Sequence, residues 1–379
     1  MWLIDVESAE IISRATSRGG SFKGIAFTPD GKRLYASNIK GSINVYSVSD
    51  EGDLDAEEAI SLPAKRSSRG GGALAVGLLI APDGKSMLAA LNLKNTLAEI
   101  DLTTNKVIRE IPVGNAPYDV VVVGRKAYVS NWAGRLPTGD VPTGPSGVAP
   151  DVRVDAIRNI ANDGSVSVVD LEAGEETGQI VVGLHPSGMA TARNGRLVLV
   201  ANANSDTVSV IDTQTDRIVE TISTSPSAEL LFGSAPNALA LSQDGRTLYV
   251  SNGTNNSIAV IDFQPPRSTV LGCIPTGWYP AGMAFDAKRG ELYVANVKGI
   301  GSRNQSWKGS RKVNDEVIFG YNSHDHQGTL WLVKLPTPDE LQRLTQKVLE
   351  NNRQTEAISV LAPPRPNVKP RAIPERHGE

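Results

Sequence analysis

The sequence is short of the residues and segments that several classes of protein need. Its 379 residues include a single cysteine, Cys273, which excludes an internal disulfide framework and a cysteine-rich metal site. No run of about 18 apolar residues exists, so the sequence predicts no transmembrane helix. The formal net charge of −3 argues against a protein built mainly to hold nucleic acid or an anionic membrane. A Ser-His-Asp order, a P-loop and paired carboxylates are also missing as recognisable patterns.

The amino-terminal segment MWLIDVESAE lacks a basic stretch followed by an apolar core, so it does not predict a signal peptide. Trp2–Val6 instead looks like a strand from the middle of a repeat, and we expect the chain to start late in that repeat. What the sequence does have is 36 glycines and 23 prolines, as expected for many short strands joined by tight turns.

Short apolar runs around tight turns recur along the chain. Asp30-Gly31, Asp83-Gly84 and Asp244-Gly245 each lie between two alternating runs, which is a strong hairpin signal. We name the strand before each turn a and the strand after it b. Six a–b hairpins are predicted, at residues 24–38, 75–92, 119–131, 188–202, 237–252 and 281–296.

A third strand, c, follows each of the six hairpins, and a seventh c strand at the amino terminus has no hairpin before it. A fourth strand, d, follows a polar turn. The c strands begin at Trp2, Ile43, Leu97, Val166, Val208, Ile258 and Leu330, and several end in an aspartate that should cap the next turn (Asp101, Asp170, Asp212 and Asp262). Four-stranded units cannot bury both faces of a small sheet alone, whereas radial stacking can. The sequence therefore predicts an all-β, seven-bladed β-propeller over residues 1–336, with incomplete first and last blades.

Two long insertions and a carboxy-terminal extension depart from this pattern. Trp132–Asp163 is rich in Gly and Pro, with a short helical turn expected near 154–160, and Val297–Gln327 is basic. Thr337, Pro338 and Glu340 predict a capped helix over residues 337–352 with one apolar stripe. Residues 353–379 are proline-spaced and predict an extended linker or tail, although 357–361 could instead supply a missing strand.

The repeats resemble the YVTN-type β-propeller family. The motifs that carry the resemblance are LYASN (34–38), AYVSN (127–131), LVLVAN (197–202), LYVSN (248–252) and LYVAN (292–296). More narrowly, GLHPSGM, FGSAPNALALS, IPTGWYPAGMAF and LENNR are similar to the propeller half of bifunctional bacterial proteins. In those proteins a phosphoesterase domain of the alkaline-phosphatase superfamily follows the propeller, and an additional a–b hairpin comes earlier.

The resemblance implies several further expectations. The tail would be the linker to a phosphoesterase domain, whose catalytic residues are absent from this sequence. The protein would be exported to the periplasm or beyond.

Candidate binding residues lie in the loops between strands d and a, which share the pattern V-G-x-x-P. These loops and the insertions should lie on one face of the ring, around the mouth of its channel. The residues predicted to line this mouth are Asn115, Tyr118, Asn131, Trp132, His185, Trp278 and Tyr279. Alternatively, Trp278 and Tyr279 only seal blade against blade, and the Asn residues that end the b strands (Asn38, Asn131, Asn202, Asn252 and Asn296) serve their own turns.

Two other clusters offer weaker hypotheses. His324 and His326 flank an aspartate and could hold a divalent metal, but no third or fourth ligand is evident. The basic insertion could bind a phosphorylated ligand or a single strand, although a solvated loop explains it as well. The residues concerned are Arg303, Trp307, Lys308, Arg311 and Lys312.

Three functions follow from these observations. The first hypothesis is a non-catalytic binding or scaffolding propeller without a cofactor, whose partner is an unknown small ligand or protein. The alternatives are a metal-dependent, lactonase-like hydrolase at the channel mouth and a nucleic-acid or cell-envelope binder that uses the basic insertion. Of these two partners, nucleic acid is disfavoured by the net charge.

Overall fold

A computed structural model describes residues 1–15, 20, 23–63, 73–146, 149–230, 233–301, 310–313, 316–319 and 326–360. The chain divides into two compact units. The first holds Met1–Val200 with Ile211–Ile218, and the second holds Ala201–Val210 with the described residues from Val219 onward.

The first strands along the chain form a small hairpin and a complete sheet. β1 (Trp2–Ile4) pairs only with β2 (Ile11–Arg14). The first sheet contains β3 (Ile25–Phe27), β4 (Arg33–Asn38), β5 (Ser42–Val48) and β6 (Leu54–Ala56), with β7 (Ile60–Ser61) also paired to β5.

The second and third sheets have four antiparallel strands each. The second contains β8 (Ala75–Ile80), β9 (Ser86–Leu91), β10 (Thr96–Asp101) and β11 (Lys106–Pro112). The third contains β12 (Pro117–Val123), β13 (Lys126–Asn131), β16 (Ser165–Asp170) and β17 (Glu175–Val181). Between β13 and β16, the first insertion forms its own hairpin from β14 (Thr143–Ser146) and β15 (Ala149–Arg153).

The remaining sheets repeat the same order. The fourth contains β18 (Pro186–Ala192), β19 (Leu197–Asn202), β20 (Thr207–Asp212) and β21 (Arg217–Ser223). The fifth contains β22 (Pro236–Leu241), β23 (Thr247–Asn252), β24 (Ser257–Asp262) and β25 (Thr269–Pro275). The sixth has three strands, β26 (Trp278–Asp286), β27 (Glu291–Gly299) and β30 (Thr329–Lys334), while β28 (Ser310–Val313) pairs with β29 (Glu316–Phe319).

The described residues therefore form a β-propeller of six blades, so the expected seven was wrong. Strand β1 has the c pattern, but its sheet consists of β1 and β2 alone. Its neighbours Met1 and Ala15 pack against Leu34 and Tyr46 of the first sheet. A c-type pattern predicts only that one strand has a buried face. A c strand within a blade also needs hydrogen-bonded partner strands on both of its sides.

Apolar side chains between successive sheets form the core. Between the first two sheets, Tyr35 and Ile43 pack against Met87 and Ile100, all of them fully buried. The turns behave as predicted where the c strands end. Asp101 Oδ1 accepts the N–H of Thr103 at 2.7 Å, and Asp170 and Asp212 accept the N–H of the residue two positions on in the same way. Asp262 instead accepts the side-chain Nε2 of Gln264.

The predicted helix is confirmed as α1 (Pro338–Asn351), including the capping box between Thr337 and Glu340. It packs on β25, the last strand of the fifth sheet, and Leu341 joins the apolar core of that region. A second helix, α2 (Gln354–Ser359), occupies the start of the predicted tail, so the idea that 357–361 forms a strand was wrong. Proline spacing begins only after this segment, which leaves QTEAIS free to form a helical turn. Residues 361–379 lie outside the described part of the chain.

Candidate functional site

The V-G-x-x-P loops share a backbone conformation that the sequence alone did not show. The residue before each proline has a positive φ, at 56° in Ala116, 55° in His185, 52° in Ala235 and 58° in Tyr279. Proline disfavours the right-handed helical region for the residue before it, and non-glycine residues seldom adopt the left-handed region. The surrounding structure must therefore hold these four residues in place.

In three of the four loops an Asn or Asp side chain does so. Asn95 Oδ1 accepts the N–H of Ala116 at 2.9 Å, and Asn256 Oδ1 accepts the N–H of Tyr279 at 3.0 Å. Asp206 accepts three consecutive N–H groups, from residues 233–235, at 2.6, 2.7 and 3.1 Å. We call these three side chains the loop clamps.

Within the described ranges, no Asn or Asp side chain accepts the N–H of His185 in the loop of the third sheet. Gly164 holds the equivalent position, since its carbonyl accepts the N–H of Val182 just as Asn95 accepts that of Val113. A Cβ on Gly164 would lie only 1.9 Å from the Gly183 carbonyl oxygen, so no larger residue fits there. His185 consequently keeps its left-handed backbone without an Asn or Asp clamp from the part of the chain that the structure describes.

Three of the predicted aromatic residues come together at this point. The rings of Tyr118 and Trp132 stack with centroids 4.4 Å apart, and those of Trp132 and His185 stack at 4.5 Å. Lys23 Nζ lies 4.6 Å from the centre of the Tyr118 ring and extends the stack by a cation–π contact. We call Lys23, Tyr118, Trp132 and His185 the stacked column.

Lys23 and its partner Asp119 were not predicted. Lys23 Nζ donates to Asp119 Oδ2 at 2.5 Å, and the same oxygen accepts the N–H of Met189 at 3.0 Å. A signal was present in the sequence, because Asp119 occupies a position at which the first strands of the other sheets have only glycine or alanine. The equivalent residues are Gly24, Gly77, Gly188, Ala238 and Gly282.

The insertion hairpin is anchored beside the stacked column. Asn115 Nδ2 donates to the Asp151 carbonyl at 3.0 Å, which ties the V-G-x-x-P loop to β15. At the base of the insertion, Arg135 donates to the buried Asp163 carboxylate from its backbone N–H, Nε and a terminal nitrogen, at 2.9–3.1 Å. These bonds explain how a glycine- and proline-rich insertion holds a defined position. The turn expected near 154–160 is present as a single turn, closed by Asn159 N–H to Asp155 O.

Between the hairpin and the loops lies a cleft of about 550 Å³. Trp132 and His185 contribute its aromatic rings, and Asn92, Thr143 and Asn159 its polar side chains. The remaining lining residues are small or apolar: Leu93, Ala116, Ala133, Gly144, Pro145, Val152, Val154 and Ala161. No charged side chain lines this cleft among the described residues.

His185 is the titratable group of the cleft. Burial lowers the pKa of its imidazole, because a charged ring is poorly solvated there. Its Nδ1 is sealed from solvent and has no hydrogen-bond partner within the described part of the chain. The ring is therefore neutral at pH 7 and presents an aromatic face and one nitrogen.

The predicted residues Trp278 and Tyr279 belong to the second unit. Trp278 is 43% exposed, and Gly301 packs against its ring so closely that a Cβ would approach within 2.7 Å. Tyr279 lies under Lys298 Nζ, 4.9 Å from its ring centre.

The asparagines that end the b strands have two different roles. Asn38 Oδ1 accepts the N–H of Lys40, as a turn residue should. Asn131 Nδ2 instead donates to the hydroxyls of Ser165 and Ser167, and Asn202 bonds Thr207 and Ser209 in the same way. These buried amides join strand b to strand c, and Asn131 is fully buried and is not one of the residues that line the cleft.

The two weaker clusters stay predictions. Arg303, Trp307, Lys308 and His324 lie outside the described residues, and Arg311 and Lys312 belong to β28. Within the described ranges, no group of three or more His, Cys, Asp or Glu side chains is placed to hold a metal ion. No described helix has the length and apolar character needed to cross a membrane.

Comparison with known proteins supports the fold and goes no further. No family model and no curated protein matches the chain. Among solved structures, Kuenenia stuttgartiensis hydrazine synthase is similar with a TM-score of 0.57 and 16% identity, covering 88% of this chain and 85% of that one. A functionally unknown protein from Desulfotomaculum acetoxidans DSM 771 has a TM-score of 0.57 and 14% identity, covering 88% and 95%. At such low identity these similarities show a shared β-propeller fold alone.

Proposed function

We propose that this chain is a non-catalytic binding module that recognises a small ligand in the cleft of the third sheet. The observation that carries the proposal is the stacked column beside an apolar cleft, at the one V-G-x-x-P loop whose clamp is replaced by glycine. Ligand sites are typically concave, mostly apolar and aromatic, with a few polar groups that fix orientation. A cleft of about 550 Å³ is within the usual range for a small molecule.

The residues around the cleft favour binding over catalysis. General acid–base chemistry needs a group whose pKa suits proton transfer, and nucleophilic catalysis needs a nucleophile beside a base. His185 is the sole titratable side chain among the described lining residues, and no Ser, Cys or carboxylate accompanies it there.

The resemblance noted in the sequence suggests a setting for this module. We propose that it is a YVTN-type propeller and that it serves as the recognition half of an exported phosphoesterase system. Repeats of the LYVSN type over residues 1–336 support this assignment. The hydrolytic chemistry would then reside in a separate domain.

Fluorine NMR of protein labelled with 5-fluorotryptophan tests the binding role. A Trp132→Phe variant assigns the resonance of Trp132, and Trp331 in the sixth sheet serves as the internal control. Titration with uncharged aromatic and aliphatic fragments should shift the Trp132 resonance saturably and leave that of Trp331 unchanged. A fragment library that never perturbs Trp132 would contradict the proposal.

An enzymatic assay tests the non-catalytic part independently. The purified chain should hydrolyse bis-p-nitrophenyl phosphate and p-nitrophenyl phosphate no faster than buffer does, with or without added Ca²⁺ or Zn²⁺. Sustained turnover that His185→Phe abolishes would show instead that the cleft is an active site.

A further inference from the structure

The chemistry of His185 specifies what kind of ligand the cleft accepts. A neutral imidazole carries one proton, on either Nδ1 or Nε2. Nδ1 is sealed and lacks a hydrogen-bond partner among the described residues. A buried N–H without an acceptor is rarer and costlier than an under-used acceptor, so the proton belongs on Nε2.

Nε2–H is then the donor that the ring can offer to the cleft. Trp132 covers one face of the imidazole at a centroid distance of 4.5 Å, and Nδ1 is enclosed. His185 also contributes to the lining of the cleft. With Nδ1 enclosed and one face covered, the edge with Nε2 is the polar part of the ring that can face a ligand. The site thus combines the His185 donor with mostly apolar walls, to which Asn92, Thr143 and Asn159 add polar side chains.

The lack of charged side chains in the described lining restricts the class of ligand further. No lysine, arginine, aspartate or glutamate side chain lines the cleft among the described residues. Transferring a carboxylate or an ammonium group into such surroundings without a counter-charge is strongly unfavourable. A carbonyl oxygen needs only one donor to compensate for its desolvation.

We infer that the cleft selects an uncharged, largely apolar ligand bearing a carbonyl group, such as an amide or ester, whose oxygen accepts a hydrogen bond from His185 Nε2. This inference rests on the proposed binding function and specifies its ligand class. The apolar part of the ligand occupies the space lined by Leu93, Val152 and Val154.

Three probes of similar shape separate the contributions of the carbonyl group, of charge and of apolar contact to binding. They are 3-phenylpropanamide, 3-phenylpropanoate and propylbenzene, each titrated against the 5-fluorotryptophan-labelled chain and observed at Trp132. The amide should bind roughly fivefold to tenfold more tightly than the hydrocarbon, which corresponds to one hydrogen bond. The carboxylate should bind more weakly than the amide.

The structure offers matched variants at the same position. His185→Phe removes the donor and keeps a ring against Trp132, and Tyr279 shows that this loop position accepts a bulky aromatic residue at φ 58°. His185→Ala removes both donor and ring, and Ala116 and Ala235 show that alanine also fits the conformation. In His185→Phe the preference for the amide over the hydrocarbon should disappear.

The outcomes distinguish this inference from the proposed function. Binding of all three probes with no preference for the amide, tightest binding by the carboxylate, or an amide preference that survives His185→Phe would each overturn the ligand class and leave a binding cleft. No binding by any probe or by the fragment library would overturn both.

Discussion

At the scale of single residues, the loop clamps show how a strained backbone is held. Asp206 is nearly buried and accepts three N–H groups, whereas Asn256 accepts one, so the two differ mainly in how many donors depend on them. A buried N–H that loses its acceptor costs about 1–3 kcal/mol. The stability supplied by a clamp should therefore increase with the number of bonds it makes.

Replacing the clamps tests this directly. Asp206→Ala should lower the free energy of unfolding by about 3 kcal/mol or more, and Asn256→Ala by about 1 kcal/mol. Both residues belong to the second unit, so urea denaturation followed by circular dichroism compares them in the same part of the protein. Equal losses in the two variants would show that the clamps do not act through their hydrogen bonds.

His185 also gives the protein a predictable response to acid. Burial lowers the pKa of its imidazole in the folded state below the ordinary value of 6.5. Between the two pKa values the unfolded chain binds more protons than the folded one, so the free energy of unfolding falls as the pH falls. The stability that the folded state gains from keeping His185 neutral is complete above about pH 6.5. It is lost as the pH falls through the folded-state pKa of His185.

The His185→Phe variant isolates this contribution. The difference in unfolding free energy between the unaltered chain and the variant should be constant from pH 7 to 8. Below about pH 6.5 it should shift against the unaltered chain, by up to about 1.4 kcal/mol per pH unit. A shift in the opposite direction would mean that stacking on Trp132 stabilises the imidazolium more than burial destabilises it.

At the scale of elements, helix α1 packs against the edge strand of the fifth sheet. Thr345 Oγ1 accepts the N–H of Cys273 in β25 at 2.8 Å, which satisfies a donor on the last strand of that sheet. Gly272 makes the close approach possible, because a Cβ there would lie 2.5 Å from Thr345 Oγ1 and 2.9 Å from Leu341. The amphipathic pattern predicted the helix and its buried stripe, but the threonine contact depends on which strand the helix meets.

Thr345→Val keeps the shape of this side chain and removes its hydroxyl. The free energy of unfolding should fall by about 1–2 kcal/mol, because the N–H of Cys273 then lacks its acceptor. Gln342→Ala, on the exposed side of the same helix, should change stability by less than about 0.5 kcal/mol and serves as the control. Chemical denaturation measures both. If the two variants are alike, the helix is held by its apolar contacts alone.

At the scale of the whole molecule, the repeat was predictable because its signals are local. Alternating apolar residues and Asp-Gly turns are contained within each hairpin, and the capping box lies within four residues. The number of blades was not predictable from the sequence. The pattern of β1 is that of a strand whether or not other strands pair with it. The grouping of Tyr118, Trp132 and His185 followed from loop order, while the direction of their rings depended on packing.

Departures from the repeat carry as much information as the repeat itself. Asp119 stands where the other first strands have glycine or alanine. Gly164 stands where the other three sheets that lead into a V-G-x-x-P loop have Asn or Asp, although the first and sixth sheets also have a glycine there, Gly41 and Gly328. Both departures belong to the third sheet, as does the anchored insertion. The third sheet therefore combines one unmatched residue, Asp119, with a loop held without an Asn or Asp clamp and with the anchored insertion. Functional sites are where a sequence is expected to depart from its own structural pattern.

The ion pair between Lys23 and Asp119 gives the last prediction, because it joins sheets that are not neighbours. Lys23 precedes the first sheet, Asp119 belongs to the third, and Met189, which shares the carboxylate, belongs to the fourth. In repeat proteins stability usually arises within repeats and between adjacent ones. A pair that skips a sheet should therefore make the first unit unfold more cooperatively.

A double-mutant cycle measures this coupling. Lys23→Met should cost about 1–2 kcal/mol, because the pair is largely buried, with side chains 24% and 16% exposed. The double variant with Asp119→Asn should lose less than the sum of the single variants, since the amide keeps an acceptor for Met189 and leaves no unpaired charge. Glu172→Gln breaks the exposed pair of Glu172 with Arg125, at 78% and 69% exposure, leaves the pair of Arg125 with Asp170 intact, and should cost under about 0.5 kcal/mol. Additive losses at Lys23 and Asp119, with an unchanged urea dependence of unfolding, would mean that each sheet is stabilised by its neighbours alone.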